Sequence, residues 1–170
     1  GLSVGIGCGM RDVLNNFVSG LIILFSHTIK HGDIIQVGDI NGKVVNITIR
    51  STVVKTGDNA IVAIPNSNII SSNLINWTKQ DLIVRKDIAI GIAYGADLEK
   101  VRAILLRIAA EAEYVMTEPS PSVSLEDFAA SSVNLSLKIW VSDIAYAGSV
   151  MSRIRERIYT EFKANSIEMP

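Results

Sequence analysis

The first 29 residues are almost uncharged, and only the neighbouring residues Arg11 and Asp12 interrupt them. This charged pair leaves two apolar pieces, each shorter than the roughly 18 to 20 residues of an independent membrane span. Hydropathy alone therefore predicts a buried or interfacial helix over residues 1–29. Gly9 stands beside the charged pair, and because glycine is unfavourable inside a helix, the sequence predicts a kink at this point.

Residues 30–78 have a different pattern, in which short runs rich in Val, Ile and Thr alternate with turn-forming pairs. The turn-forming pairs are Gly32-Asp33, Gly38-Asp39, Asn41-Gly42 and Gly57-Asp58. Such punctuation is typical of strands joined by hairpins. In one run Val45, Ile47 and Ile49 alternate with polar residues, which predicts one buried and one exposed face. We expect a small, strongly bent sheet or barrel of four or five strands that ends near Asn76.

Residues 79–170 combine strands and helices. Strands are predicted over 88–94, near 123–128 and over 133–141, with one helix after the first strand and another after the third. The apolar stripes of these helices are Leu98, Val101, Leu105, Ile108 and Ala112, and then Val150, Ile154, Ile158 and Phe162. This β-α-β-β-α order, with a further strand starting at Ile167, is typical of a ferredoxin-like domain. Because that strand is cut short and residue 1 already lies in a helical pattern, we expect a fragment of a longer protein.

Composition limits the class of protein. The chain has 170 residues, of which 48% are apolar, so it can bury the core of one or two domains. The formal net charge is -1 and no basic block is present, which gives no sign of a surface that binds nucleic acid. The single cysteine, Cys8, has no base nearby in sequence and cannot form an internal disulfide. A reducing compartment fits best.

The residues that could support catalysis or metal binding are incomplete. The glycines within residues 4–9 lack the preceding strand and the later acidic residue of a dinucleotide-binding fingerprint. His27 and His31 have the spacing of two metal ligands on one helical face, but no third ligand is near in sequence. Glu126 and Asp127 are neighbours on a predicted strand, so their side chains point to opposite faces. We therefore predict no enzyme, no cofactor and no metal ion.

The first helix has a narrow apolar stripe between two flanks of small residues. Leu2 and Ile6 form the stripe, because they lie within about 40° of each other around the helix. The small residues are Gly1 and Gly5 on one flank, and Ser3 and Gly7 on the other. Small flanks let identical helices approach closely in a ring, which places the stripe at an apolar constriction that closes by dewetting. The alternative is that these glycines form a flexible, poorly ordered segment.

This segment resembles the pore-lining helix of small-conductance (MscS-type) mechanosensitive channels. The resemblance begins at residues 1–7 and continues through 16–25. Further motifs are Gly32-Asp33, Gly42-Lys43-Val44, Arg50-Ser51-Thr52, Ile64-Pro65-Asn66-Ser67 and Asn76-Trp77-Thr78. The resemblance implies a membrane pore helix and amphipathic helix over residues 1–29, a small Sm-like β domain over 30–78 and a ferredoxin-like α/β domain over 79–170.

The resemblance also implies roles for residues of the first helix. The hydrophobic gate is expected at Leu2 and Ile6 and the kink at Gly9 and Met10. The expected helix-packing residues are Gly1, Ser3, Gly5 and Gly7.

The function implied by the resemblance is an ion channel that membrane tension opens, which releases ions and small osmolytes during hypo-osmotic shock. The implied assembly is a homoheptamer in a bacterial inner membrane, with the domains after residue 30 in the cytoplasm as a perforated chamber. Its partners are further copies of the chain, membrane lipids and the permeating ions and osmolytes, and no nucleic acid. Tension favours the wider state because that state occupies more bilayer area.

The alternative function is an RNA-binding module, because small β barrels and ferredoxin-like sheets also bind RNA. Sheets of that kind display stacked aromatic residues among basic ones. The exposed face of the long strand offers only Asn134, Ser136, Lys138 and Trp140. One aromatic residue and a slightly negative net charge make this alternative weaker than the channel. A dinucleotide-dependent enzyme is the third candidate.

Overall fold

The structure is a computed structural model that describes all 170 residues. The chain divides into two units, Gly1–Asp81 and Leu82–Pro170, and each has a hydrophobic core of its own. The first unit is one long helix followed by a five-stranded sheet, and the second is a three-stranded sheet with two helices. A helix, then a β domain, then an α/β domain is the predicted fold class.

The first unit begins with helix α1 (Leu2–Ser26), which is 25 residues long. The helix runs without interruption through Gly9 and Met10, so the predicted kink does not divide it into two helices. A bend of the helix axis at these residues stays a prediction. α1 ends at Ser26, because the next residue, His27, has a φ of 54° in the left-handed region and cannot continue the helix.

An antiparallel sheet follows, and a short helix interrupts it before its last strand. The elements are β1 (Ile34–Val37), β2 (Ile40–Ile47), β3 (Ser51–Thr56), β4 (Ile61–Pro65), α2 (Asn66–Ser71) and β5 (Leu74–Asn76). The strand order is β4-β3-β2-β1-β5, so the last strand returns to pair with the first. The core of this unit contains Ile23, Ile29, Ile35, Val37, Val44, Val54, Ile64 and Ile69.

The predicted alternation of Val45, Ile47 and Ile49 holds only in part: Asn46 is exposed and Ile47 packs against the core, but Val45 and Ile49 do not belong to the core. Val44 is the buried residue of this stretch, whereas Ile49 is 45% exposed and lies beyond the end of β2. The reason is a bulge in β2: Val44 pairs with Val54, but Asn46 already pairs with Val53. The extra residue reverses the side-chain alternation after it.

The second unit has the β-α-β-β-α order that the sequence predicts. Its elements are β6 (Val84–Ile92), α3 (Leu98–Glu111), β7 (Ser122–Phe128), β8 (Val133–Val141) and α4 (Ala147–Ala164), with a short 3₁₀ turn over Ile144–Tyr146. The long strand β8 lies between β6 and β7, antiparallel to both. Val150, Ile154, Ile158 and Phe162 of the predicted α4 stripe are all buried. This is the ferredoxin-like arrangement.

Three details of the second unit differ from the predictions. The first strand covers Val84–Ile92 rather than residues 88–94. In the α3 stripe, Leu98 at the first turn is 38% exposed, because its position lies at the helix end rather than over the sheet. No strand is present at residues 167–170, although the backbone N–H of Ala93 donates to the carbonyl oxygen of Glu168 at 2.9 Å.

Candidate pore helix

α1 is the one helix of the chain that is long and apolar enough to cross a membrane, judged by length and composition. No residue of its first half is buried: residues 1–15 are all exposed, and Leu2 and Ile6 are 86% and 60% exposed. Hydropathy alone predicted a buried or interfacial helix, and in the single chain this half is not buried. So much exposed apolar surface indicates that lipid or other protein covers it.

The small residues of α1 have no packing role within a single chain. A Cβ atom added at Gly1, Gly5, Gly7 or Gly9 would meet nothing within 4 Å. Ser3 is likewise exposed. The predicted packing residues therefore lie on open surface, where nothing within these 170 residues contacts them.

The second half of α1 packs on the β domain of the same unit. Ser19, Gly20 and Ile23 are its buried residues. Gly20 permits the approach, because a Cβ atom there would lie 2.5 Å from the carbonyl oxygen of Ile49. Asn16 fixes the helix further, since its Oδ1 accepts a hydrogen bond from the backbone N–H of Ser67 at 3.0 Å. α1 thus has a free half, residues 2–15, which is exposed in this chain, and a seated half, residues 16–26, which packs on the β domain.

Asn66 organises the part of the β domain on which α1 sits. Its side chain is fully buried. Nδ2 donates to the carbonyl oxygen of Thr48 at 2.9 Å, and Oδ1 accepts from the hydroxyl of Thr52 at 3.0 Å. Its backbone N–H donates to the carbonyl oxygen of Arg50 at 2.9 Å. These hydrogen bonds hold the β2–β3 corner, which includes Ile49, in a fixed place beneath Gly20.

The sequence did not assign these roles to Asn16, Gly20 and Asn66, although all three lie in motifs that carry the family resemblance. Their partners lie far along the chain: Asn66 is 18 residues from Thr48, and Asn16 is 51 residues from Ser67. A polar residue directly after Pro65, between two apolar runs, was the one available signal.

The side chains considered for catalysis or metal binding do not converge on a site. Cys8, His27 and His31 are exposed, and no group of three potential metal ligands is present. Glu126 is occupied by ordinary surface contacts: hydrogen bonds from Ser124 and Lys138, together with the lysine charge, lower its pKa. The neighbouring Asp127 instead accepts a hydrogen bond from the next backbone N–H.

The strand face considered for RNA is also less open than expected. Ser136 is 7% exposed, and Lys138 is paired with Glu126 at 3.0 Å. Trp140, the single aromatic residue of this face, is partly buried. Stacked bases need several accessible aromatic side chains, and this face of β8 offers at most one.

Comparison with known families covers both units. Residues 12–79 match the family described as "Mechanosensitive ion channel, beta-domain". Residues 87–169 match the family described as "Mechanosensitive ion channel MscS, C-terminal". The two matches begin within α1 and end near the last residue of the chain.

Individual proteins agree with these matches. The mechanosensitive channel MscK of Escherichia coli (strain K12) is 43% identical over 143 residues, which are 84% of this chain and 13% of MscK. The small-conductance mechanosensitive channel of Edwardsiella ictaluri (strain 93-146) is 29% identical over 170 residues, which are 100% of this chain and 58% of that channel. The chain thus spans only part of each relative.

A solved structure extends the similarity to three dimensions. The crystal structure of Helicobacter pylori MscS in its closed state has a TM-score of 0.91 at 27% sequence identity. The match covers 99% of this chain and 66% of that chain, so it includes α1 and both units. The chain belongs to the MscS family of mechanosensitive channels.

Proposed function

We propose that this chain supplies the pore helix and the cytoplasmic domains of a channel that membrane tension opens in a bacterial inner membrane. The observation that carries the proposal is the division of α1 into two halves. The first half exposes its apolar side chains, whereas Gly20 seats the second half on the β domain. An exposed apolar half needs lipid or identical neighbours to cover it.

The pore is lined by the stripe of Leu2 and Ile6, with the small flanks of α1 packed against neighbouring copies. Both side chains are large, apolar and unengaged within the chain. When they meet at the axis of a ring they offer no hydrogen bonds, so water and hydrated ions are excluded. Gly1, Ser3, Gly5 and Gly7 permit the close approach that such a ring requires. The kink at Gly9 and Met10 belongs to the same proposal.

The assembly is a homoheptamer, as the resemblance to MscS-type channels implies. Residues 1–29 form the pore-lining segment, residues 30–78 the β domain and residues 79–170 the α/β domain of a cytoplasmic chamber. The similarity to a closed-state channel of Helicobacter pylori supports a closed arrangement for α1. Ions and small osmolytes pass through the chamber when the pore widens.

Gating is a shift between a narrow and a wide state. Tension acts on the difference in membrane area between the two states, so it stabilises the wide one without a chemical ligand. During this shift the free half of α1 moves within the membrane, and the C-terminal end of α1 changes its position on the β domain.

Patch recordings from liposomes that contain the purified full-length protein test this proposal. Stepped suction should evoke discrete currents above a threshold tension, and protein-free liposomes should show none. The detergent-solubilised protein should have the mass of seven protomers. A monomer, or a stable oligomer that gives no current up to membrane rupture, would contradict the proposal.

A further inference from the structure

The carboxylate of Asp33 holds residues 27–33, the link between α1 and the sheet. Asp33, just before β1, accepts three hydrogen bonds. Its Oδ2 accepts from the side chain of Asn76 at 2.9 Å and from the backbone N–H of Lys30 at 3.0 Å. Its Oδ1 accepts from the hydroxyl of Thr78 at 3.0 Å. Two of the three donors thus lie more than 40 residues further along the chain, at and after β5.

The two distant partners hold the link at further points. The side-chain amide of Asn76 also donates to the carbonyl oxygen of Thr28 at 3.0 Å. The hydroxyl of Thr78 accepts from the backbone N–H of Ile34 at 3.1 Å. Asn76 therefore binds the chain before Asp33, and Thr78 binds it after Asp33. The Asp33 carboxylate accepts from both side chains and joins these contacts into one network.

The same link is tied to the sheet from another direction. The backbone N–H of Gly32 donates to the carbonyl oxygen of Val44, and the N–H of Val44 donates to the carbonyl oxygen of Asp33, both at 2.8 Å. The ammonium group of Lys79 donates to the carbonyl oxygen of His27, the residue directly after α1. The hydrogen bonds of Asp33, Asn76 and Thr78 form a clamp on the C-terminal end, or base, of α1. This clamp holds α1 on the β domain at a second place, separate from Gly20.

We propose that Asp33 is a positioning residue for the tension response, acting through Asn76 and Thr78. This inference rests on the proposed function. The clamp prevents the base of α1 from shifting unless the sheet moves with it. Because the clamp is complete in the arrangement described here, it stabilises this arrangement relative to one in which α1 has moved. Removal of the carboxylate should therefore ease opening.

Recordings of the full-length channel test the inference with four variants. Asp33→Ala and Thr78→Val each remove hydrogen bonds of the clamp, and both should lower the opening threshold. Thr78→Ser keeps the hydroxyl and should restore the wild-type threshold. Asp39→Ala removes an exposed carboxylate of the β1–β2 turn that lies outside the clamp, and it should leave the threshold unchanged.

Hydrogen exchange on the same full-length protein separates the structural role of Asp33 from its role in the tension response. The amides of Lys30 and Ile34 should exchange about tenfold faster in Asp33→Ala, because both hydrogen bonds depend on the clamp. Faster exchange with an unchanged threshold would overturn the positioning role while leaving the clamp intact as a structural feature. If the wild type shows no tension-dependent current, the proposed function fails, whatever the exchange rates. Unchanged exchange would show that Asp33 does not hold the link.

Discussion

Gly20 of α1 lies against the backbone of Ile49 so closely that a Cβ atom would come within 2.5 Å of the carbonyl oxygen. A Cβ there would also lie 2.8 Å from the side-chain nitrogen of Asn66, which is itself held by Thr48. The Ile49 carbonyl belongs to the backbone, and the Asn66 side chain is buried and hydrogen-bonded, so neither can easily move away. This contact therefore fixes the distance between the pore helix and the β domain.

The first prediction concerns this contact. Gly20→Ala should destabilise the first unit by roughly 1 to 3 kcal/mol, because the helix must move away from the corner that Asn66 holds. The control is Gly148→Ala in α4, since a Cβ at Gly148 meets nothing within 4 Å and alanine favours the helix. Thermal unfolding of the full-length protein measures both. Equal midpoints for the two variants would show that α1 is not seated at Gly20.

Regular apolar patterns allowed much of the fold to be predicted. The stripe of Val150, Ile154, Ile158 and Phe162 is buried as expected, because an undistorted helix keeps its period. The β2 strand was misread at Val45, since a bulge leaves no mark in the apolar pattern. The short helix α2 was not predicted, because six residues carry too little periodicity.

The candidate site could be predicted only in part, for a different reason. Leu2 and Ile6 are candidates from spacing within one helix, which is local information, and their role at the gate stays a prediction. Asp33 and Asn66 make their contacts across 43 and 18 residues of sequence, and no local pattern encodes such pairs. The pair Gly32-Asp33 predicted a turn at Asp33, and Asn66 was noted only as part of a motif, so neither contact was predicted.

The second prediction concerns acid. Partial burial alone would raise the pKa of Asp33, but hydrogen bonds from Asn76, Lys30 and Thr78, together with the charge of Lys30, lower it below its ordinary value of 3.8. The carboxylate therefore contributes stability that is present above pH 3.8 and is lost as the pH falls through the lower folded-state pKa.

Unfolding midpoints of wild type and Asp33→Asn at neutral pH and near pH 3 measure this effect. The amide has one oxygen where the carboxylate has two, so it cannot accept all three hydrogen bonds. Wild type should be the more stable protein at neutral pH, and the difference should shrink in acid. A difference that is the same at both pH values would mean that ionised Asp33 does not stabilise the fold.

The third prediction concerns the small flanks of α1. Gly5→Leu and Gly7→Leu should each change the tension threshold of the full-length channel, because a leucine on either flank separates neighbouring helices. Both glycines are exposed and a Cβ at either position meets nothing within 4 Å, so folding of the protomer should be unaffected. Patch recordings compare the thresholds. Wild-type thresholds in both variants would mean that these glycines do not form the interface between copies.

The fourth prediction concerns the proposed hydrophobic gate at Leu2 and Ile6. In Ile6→Ser and in Leu2→Ser, a hydroxyl replaces an apolar side chain that the proposed function places at the pore axis, so the constriction should become wet at lower tension. Val4→Ser is the matched control, because Val4 is also exposed but lies roughly 200° around the helix from Leu2.

The most direct measurement is the opening threshold of these three variants in patch recordings of the full-length channel, with growth of the expressing cells recorded alongside. Ile6→Ser and Leu2→Ser should open at lower tension, leak at rest and slow growth, whereas Val4→Ser should behave as wild type. If both stripe variants open at wild-type tension and are not toxic, the gate lies elsewhere on α1. A leak confined to Val4→Ser would place it on the opposite face of the helix.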